Sequence, residues 1–325
     1  MTPDPIHALA TAIAVVAKAT LGGEAPVVEL SAPAKAEHGD LATPVAMGLA
    51  RAAGIDGLSG MRSTWREGGI AFTRPFLAVS RADLQSYLTR KGIVWIDDPS
   101  NTDGRYQRIK ARRALAALAP LGITAQQLSH VAQNLGFARS ALVRFTSQVA
   151  ADLVCEGAGG LQIRRDSYLT HPFEVQRRLL IACLKWISGA EYAPRATAIG
   201  KVEWAILNGK DSTLSGCRIR IKADIIAITR EPRAVAATAC ATDQLWDNRW
   251  RVTGPHAPDL TLRALGADGL RVCKNWRNTG ISRDALLVSP GIWRGDALIS
   301  APLAGFNTEW CATIPIPFAK FILSH

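Results

Sequence analysis

Residues 71–101 read AFTRPFLAVSRADLQSYLTRKGIVWIDDPSN. Ala71–Val79 is an extended apolar run, broken at Arg74-Pro75 because proline has no N–H to give to a strand ladder. Ser80 then opens a helix as N-cap, with Asp83 three residues on as its capping-box partner. Arg90 and Lys91 place positive charge where a helix C-terminus favours it, and Gly92 ends the helix. A strand-like Ile93–Ile96 follows. After it, Asp97-Asp98-Pro99-Ser100-Asn101 is a cluster of turn formers.

Upstream, residues 6–20 pattern as a helix, Pro26–Leu30 as a short strand, and residues 40–53 as a second helix. Leu41, Val45 and Leu49 of that second helix share one face. Gly54 and Gly57 stop it and supply turns. Downstream, the chain from about 110 to 235 is mostly helical. Thr124 with Gln127 caps a long helix whose Leu128, Val131, Leu135, Leu142, Phe145, Val149 and Leu153 recur at helical spacing. A hairpin is expected at Leu161–Leu169, with Arg164-Arg165-Asp166 near its turn. Helices at 173–187 and 195–207 come next. A second hairpin pairs Cys217–Lys222 with Ile225–Thr229 around Ala223-Asp224. Glu231–Asp243, rich in Ala, Thr and Pro, reads as a linker. Residues 245–325, with short strand-like runs between Gly, Pro and Asn, read as a small mixed or β-rich domain.

The bulk numbers set the outer limits. With 325 residues, 48% hydrophobic and 20% charged, the chain is an ordinary globular protein of more than one domain. Its net charge of +11 makes an anionic partner plausible, whether nucleic acid, membrane surface or acidic protein. The six cysteines stand far apart with no CxxC pair, which argues against a zinc site or a disulfide framework. Cys183 and Cys217 sit in apolar segments as small hydrophobes. The histidines show no ligand spacing, so no metal site is expected from spacing. The stretch Ile6–Leu21 is short, interrupted by Lys18 and preceded by Asp4, unlike a secretory signal, and nothing is long enough to span a bilayer. The expected location is the cytoplasm.

Several segments together resemble one family. Arg74-Pro-Phe-Leu, Trp95-Ile-Asp-Asp-Pro-Ser-Asn101, and Arg105-Tyr-Gln-Arg108 with Arg112 fall in the order of a family pattern. That pattern runs R-P-L-L, W-x-x-D-x-S-N, D-R-N-x-x-R. Gly54-Ile-Asp-Gly-Leu-Ser-Gly-Met61 matches a preceding G-x-x-G-L-x-G-M turn. Gln176-Arg-Arg-Leu-Leu180, Pro194-Arg195 and Thr213-Leu-Ser-Gly-Cys-Arg218 continue the order. Over about residues 54–325 the chain resembles tRNA(Ile)-lysidine synthases.

The resemblance implies an α/β PP-loop (Rossmann-like) ATPase domain, here as a truncated or degenerate remnant over 1–109. A mainly helical central domain with hairpins over 110–235 and a small mixed α/β C-terminal domain over 236–325 would follow. It implies a ligase that uses ATP and Mg2+ to join free lysine to the wobble cytidine of the tRNA(Ile) anticodon. By that likeness Asp40 and Asp98 are the candidate catalytic carboxylates; Asp97 and Asp98 could hold lysine or order the anticodon contacts, or cap their own turn. Arg105, Arg108, Lys110, Arg112, Arg177, Arg178 and Arg195 are the candidate tRNA contacts. The family's Ser-Gly-Gly-x-Asp-Ser phosphate loop is not in this sequence. Thr43 and Pro44 stand where its H-x-x-D-D-Q-x-E-T motif has Glu and Thr, and Ile109 replaces the Asn of D-R-N.

An alternative is therefore an inactive, tRNA-binding remnant of the enzyme. Pro33–Met47 is also similar to the N-terminal domain of arginyl-tRNA synthetases, another tRNA-binding element. The phosphate-loop lookalike Asn208-Gly-Lys-Asp-Ser-Thr213 lies between a helix and a hairpin, the wrong setting for a phosphate cradle. Arg164 and Arg165 are further candidate contacts, and Arg218, Arg220 and Lys222 share one strand face. Trp186 and Trp204 are expected to pack in the core. Dimerisation would be a natural cover for an exposed sheet edge.

Overall fold

The computed structural model describes residues 55–67, 70–95 and 115–324. The expected helices at 6–20 and 40–53, the strand Pro26–Leu30 and the Asp97–Asn101 turn lie outside the described residues. The chain divides into two compact units, 1–141 and 142–325.

In the first unit, Ile55–Leu58 form a helical turn. Strands β1 (Thr64–Glu67) and β2 (Ile70–Thr73) then pair antiparallel with Trp65 opposite Phe72. The two rings stack at 4.9 Å, and the Arg74 guanidinium covers Trp65 at 4.1 Å. Pairing stops at Arg74, before Pro75, as the missing proline N–H requires. Helix α1 (Arg81–Arg90) carries the full capping box: Asp83 N–H donates to Ser80 Oγ at 3.1 Å, and Ser80 N–H donates to Asp83 at 3.3 Å.

The strand expected at Ile93–Ile96 is absent from its described part, Ile93–Trp95. Gly92, at φ +67°, lets the chain fold back over the helix end. Its N–H reaches Thr89 O at 3.1 Å, and that of Ile93 reaches Leu88 O at 3.0 Å. This pair of bonds closes the helix C-terminus and removes Ile93 from any ladder.

Helix α2 (Ala125–Leu153) starts on the Thr124–Gln127 box, with Gln127 N–H donating to Thr124 Oγ1 at 3.2 Å. Only its C-terminal end is buried, through Thr146, Val149, Ala150 and Leu153, while Leu128, Val131 and Phe145 stay exposed. Strands β3 (Val154–Gly157) and β4 (Gly160–Arg164) form a hairpin through Ala158 and Gly159, at φ 49° and 73°. Two left-handed residues match the twist of a two-residue hairpin. Gly159 is required twice over, since a Cβ there would lie 2.2 Å from the Trp250 ring.

The hairpin expected at Leu161–Leu169 is replaced by β4 followed at once by helix α3 (Arg165–Leu169). Arg165 N–H donates to Asp224 O, and Asp166 N–H to the Asp224 side chain, both at 2.8 Å. Those bonds turn the chain into the helix, which buries Tyr168.

Helices α4 (Phe173–Ser188) and α5 (Ala196–Leu207) follow, then β5 (Ser212–Leu214), β6 (Cys217–Lys222) and β7 (Ile225–Arg230). The five strands form one antiparallel sheet in the order β3-β4-β7-β6-β5. Alternation along the strands turns Leu161, Ile163, Cys217, Ile219, Ile226 and Ile228 inward. They meet the α4 stripe of Leu179, Cys183, Leu184 and Ile187. At about 1.5–3 kcal/mol for each fully buried large aliphatic side chain, this contact is the main stabilising layer.

The remainder comprises α6 (Pro232–Val235), β8 (Ala239–Ala241), β9 (Arg251–Thr253), β10 (Thr261–Ala264), α7 (Gly266–Val272), α8 (Arg283–Leu287), β11 (Pro290–Arg294), β12 (Ala297–Ser300), β13 (Cys311–Thr313) and α9 (Phe318–Ser324). Four strands make a sheet in the order β12-β11-β10-β8, and β13 pairs with β9. The expected linker Glu231–Asp243 is therefore structured. Val235 is buried, β8 extends the sheet on β10, and the buried Trp246 indole donates to Thr238 O at 2.9 Å. Small Ala and Thr side chains suit a strand lying close to its neighbours, and composition alone does not separate that from a linker.

Helix α9 returns to the first sheet's core. Phe318 and Ile322 join it, Phe318 N–H donates to Glu156 at 2.8 Å, and the Trp186 indole donates to Ile316 O at 2.9 Å.

One buried ion pair ties the end of β7 to the chain beyond β8. Arg230 grips Asp247 through Nε and Nη2, both at 2.9 Å, and Gly216 O through Nη1 at 3.0 Å. The two side chains are 12% and 7% exposed. Asp247→Ala would leave the guanidinium buried without its counter-charge, so a loss of about 3–5 kcal/mol is expected, read as a lower urea midpoint with unchanged slope.

Candidate nucleic-acid interface

Of the residues nominated by sequence, Asp40, Asp98, Arg105, Arg108, Lys110 and Arg112 lie outside the described residues, while Arg177, Arg178 and Arg195 lie within them. Arg177 and Arg178 sit three and four residues after Glu174 on α4, the spacing at which helix side chains meet. Glu174 accepts Arg177 Nε and Nη2, each at 2.8 Å, and Arg178 Nε at 2.8 Å. Burial works against the charge of Glu174, yet the two arginines overcome it and hold the carboxyl below its usual range. Both guanidiniums are thus already engaged.

Glu203, on α5, has a different setting. Burial pushes its carboxyl pKa up, against the pull of Arg177, and one carboxylate oxygen is buried without a hydrogen bond. Arg195 is exposed at the N-cap of α5 and makes no side-chain cap there. A cation at a helix N-terminus opposes the helix dipole, so its placement does not serve the helix.

The other cationic candidates separate on contact. Arg165 donates from Nε to Ile206 O and from Nη2 to Leu207 O, both at 2.8 Å, and so caps the end of α5. Arg164 remains exposed. Arg218 and Arg220 share the outer face of β6 as alternation predicts, but both pair with Asp284 of α8, at 3.4 and 2.7 Å. Asp211 lies 3.9 Å from Arg220. Lys222 on the same face is exposed.

Asn208–Thr213 is the turn between α5 and β5. Lys210 Nζ lies 4.9 Å from the Trp204 ring, and Asp211 accepts Ile221 N–H at 2.9 Å. That is a structural turn and offers no row of open backbone N–H groups to a phosphate.

The two tryptophans part company. Trp186 is buried as expected, whereas Trp204 is 56% exposed. The apolar spacing that placed Trp204 in the core also passes through Ile199, Val202 and Ile206, and these take the buried side of α5. Nothing in the spacing alone ranks Trp204 below them.

Among the described residues no group of three or more His, Cys, Asp or Glu side chains could hold a metal ion. Cys183 and Cys217 are buried thiols whose pKa values burial drives upward, and they are unsuited to reaction. No helix among the described residues is long and apolar enough to cross a membrane.

Comparison with known proteins places this geometry. Residues 29–119 match the PP-loop domain model. They contain Asp40, Asp98 and the basic run 105–113. A PP-loop domain points to ATP use and to a Rossmann-like α/β fold in that part of the chain. Three relatives then fix the family. The tRNA(Ile)-lysidine synthase of Ruegeria pomeroyi is 42% identical over 289 residues, which is 88% of this chain and 69% of the relative. That of Anaplasma marginale is 26% identical over 85% of this chain and 66% of the relative. That of Wolbachia pipientis is 31% identical over 66% of this chain and 52% of the relative. The chain belongs to the tRNA(Ile)-lysidine synthase family.

The two glutamates predict opposite pH behaviour. The Glu174 pKa is lowered from 4.5, so its contribution is present above about pH 4.5 and lost as pH falls through the folded value. Glu174→Gln should lower stability at neutral pH and converge on the parent in acid. The Glu203 pKa is raised from 4.5, so its contribution is full below about pH 4.5 and lost as pH rises through the folded value. Glu203→Gln should stabilise at neutral pH and be neutral in acid. Urea midpoints across the acid range read both, and parallel curves for either variant would contradict its assignment.

Proposed function

We propose that this chain joins free lysine to the wobble cytidine of a tRNA(Ile) anticodon with consumption of ATP. The observation that carries this reading is the 42% identity to the Ruegeria enzyme across 88% of the chain. In two steps, ATP adenylates the base with release of pyrophosphate, and the amine of lysine displaces AMP. Nothing in the relatives supports the alternative of an inactive tRNA-binding remnant.

On this reading residues 1–109 form the PP-loop domain, 110–235 the central domain and 236–325 the C-terminal domain. Asp40 and Asp98 hold lysine or order the reacting base. Arg105, Arg108, Lys110 and Arg112 position the anticodon arm through its phosphates, which fix register without reading sequence. Arg195 adds an open cation. Arg177 and Arg178 add charge that Glu174 partly neutralises. The reaction belongs in the cytoplasm, and a homodimer would cover an open sheet edge.

Mg2+ is implied by the family; the candidate carboxylates Asp40 and Asp98 lie outside the described residues, among which no group of three or more His, Cys, Asp or Glu could hold a metal ion. The phosphate-loop lookalike Asn208–Thr213 is a closed turn, so ATP use is assigned to the PP-loop match at residues 29–119.

The test is incorporation of labelled lysine into a tRNA(Ile) transcript with ATP and the purified chain. Product is expected; tRNA binding without product would favour the remnant. Arg112→Ala is expected to weaken tRNA binding several-fold and to reduce its salt slope by about 1. Unchanged affinity would remove Arg112 from the anticodon contact.

A further inference from the structure

We propose that Trp204 is a stacking platform for an unpaired base of the bound RNA, an inference that rests on the tRNA reading above. Large aromatic side chains contribute most when buried, and Trp186, Trp246, Trp250, Trp293 and Trp310 are buried in this chain. Trp204 is 56% exposed. The fold does not call for an aromatic ring there, since Ile199, Val202 and Ile206 seat the helix and Asn208 bonds the Trp204 carbonyl whatever its side chain.

The surroundings suit an anion with a flat face. Lys210 Nζ lies over the ring, 4.9 Å from its centroid, so a base would stack on the opposite face with the ammonium near its phosphate. Lys201 is exposed one turn earlier, and Arg195 is exposed at the start of the helix. Gly200 leaves the preceding turn bare, with nothing within 4 Å of where its Cβ would be. The only acidic residue from Arg195 to Lys210 is Glu203, which is half-buried near Arg177.

The helix end that carries the ring is held in place, because Arg165 donates to the Ile206 and Leu207 carbonyls. An exposed ring with flanking cations is the arrangement by which proteins stack single-stranded bases irrespective of sequence. A duplex hides its base faces, so the occupant is an unpaired nucleotide.

The test uses the full chain with a tRNA(Ile) transcript, single-stranded oligouridylate and a duplex RNA of equal length. Trp204→Ala is expected to weaken tRNA and oligouridylate binding about ten-fold with an unchanged salt slope, while Trp204→Phe retains most of the affinity. Lys210→Gln should flatten the salt slope by about 1. Duplex binding should be unaffected by Trp204→Ala. Parent-like binding by Trp204→Ala, or an equal loss on duplex RNA, overturns the platform and leaves the ligase reading standing. If the parent fails to bind tRNA, the ligase reading falls first. The platform is then judged on oligouridylate, where equal fluorescence quenching of the parent and Trp204→Phe would overturn it. Blue-shifted Trp204 emission on phosphatidylserine vesicles, with RNA binding unaffected by Trp204→Ala, would overturn it in favour of a membrane contact.

Discussion

The buried pair Arg230–Asp247 is the constraint on which residues 142–324 depend. A guanidinium and a carboxylate removed from water are tolerable only together, so the end of β7 and the Trp246–Trp250 turn must be formed at the same time. Asp247 and Asn248 accept left-handed φ values of 50° and 53° to make that turn. Beside it, Arg249 lies 4.6 Å over the Trp186 ring and donates to Gly159 O at 2.9 Å. Burial lowers its pKa to about 10, still far above neutrality. One turn thus joins the hairpin β3–β4, helix α4 and strand β7. The Trp186 indole carries the connection on to Ile316 and α9.

Among the described residues, the same chemistry explains why many of the arginines do not add to an open basic surface. Arg165, Arg177, Arg178, Arg218, Arg220 and Arg230 all meet carboxylates or helix-end carbonyls, and they orient or cap structure before they can meet an anion. The cations left open to solvent around α5 are fewer, and they gather where an indole is also open. Local satisfaction of charge, more than total charge, decides which cations remain open to an anion.

Family membership and site geometry bear on different parts of the chain. The PP-loop match covers residues 29–119, where the candidate carboxylates and the densest basic run reside. The geometry covers mainly residues 115–324. Glu174 and Glu203 show how closely the two functions of charge can be interleaved. Both face Arg177, yet one is stabilised as an anion and the other is penalised, because only the first has hydrogen bonds to offset its burial.

Short-range chemistry was legible in the sequence. The Ser80–Asp83 and Thr124–Gln127 boxes, the helices at 173–187 and 195–207, the hairpin around Ala223 and the burial of Cys183 and Cys217 all follow from spacing within a few residues. So did the family, since its motifs are local strings read in order. Apart from Ile93–Trp95, which the local Gly92 closure keeps out of a strand, what failed were readings that depend on packing or partners elsewhere in the chain. Arg165 and Asp166 form a helix because Asp224 receives their N–H groups. Glu231–Asp243 is built into a sheet because β10 and Trp246 take up its backbone. Trp204 faces water because three other apolar residues of its helix occupy the core. Hydrophobic periodicity records which residues can be buried; only the assembled chain decides which of them find a surface to be buried against.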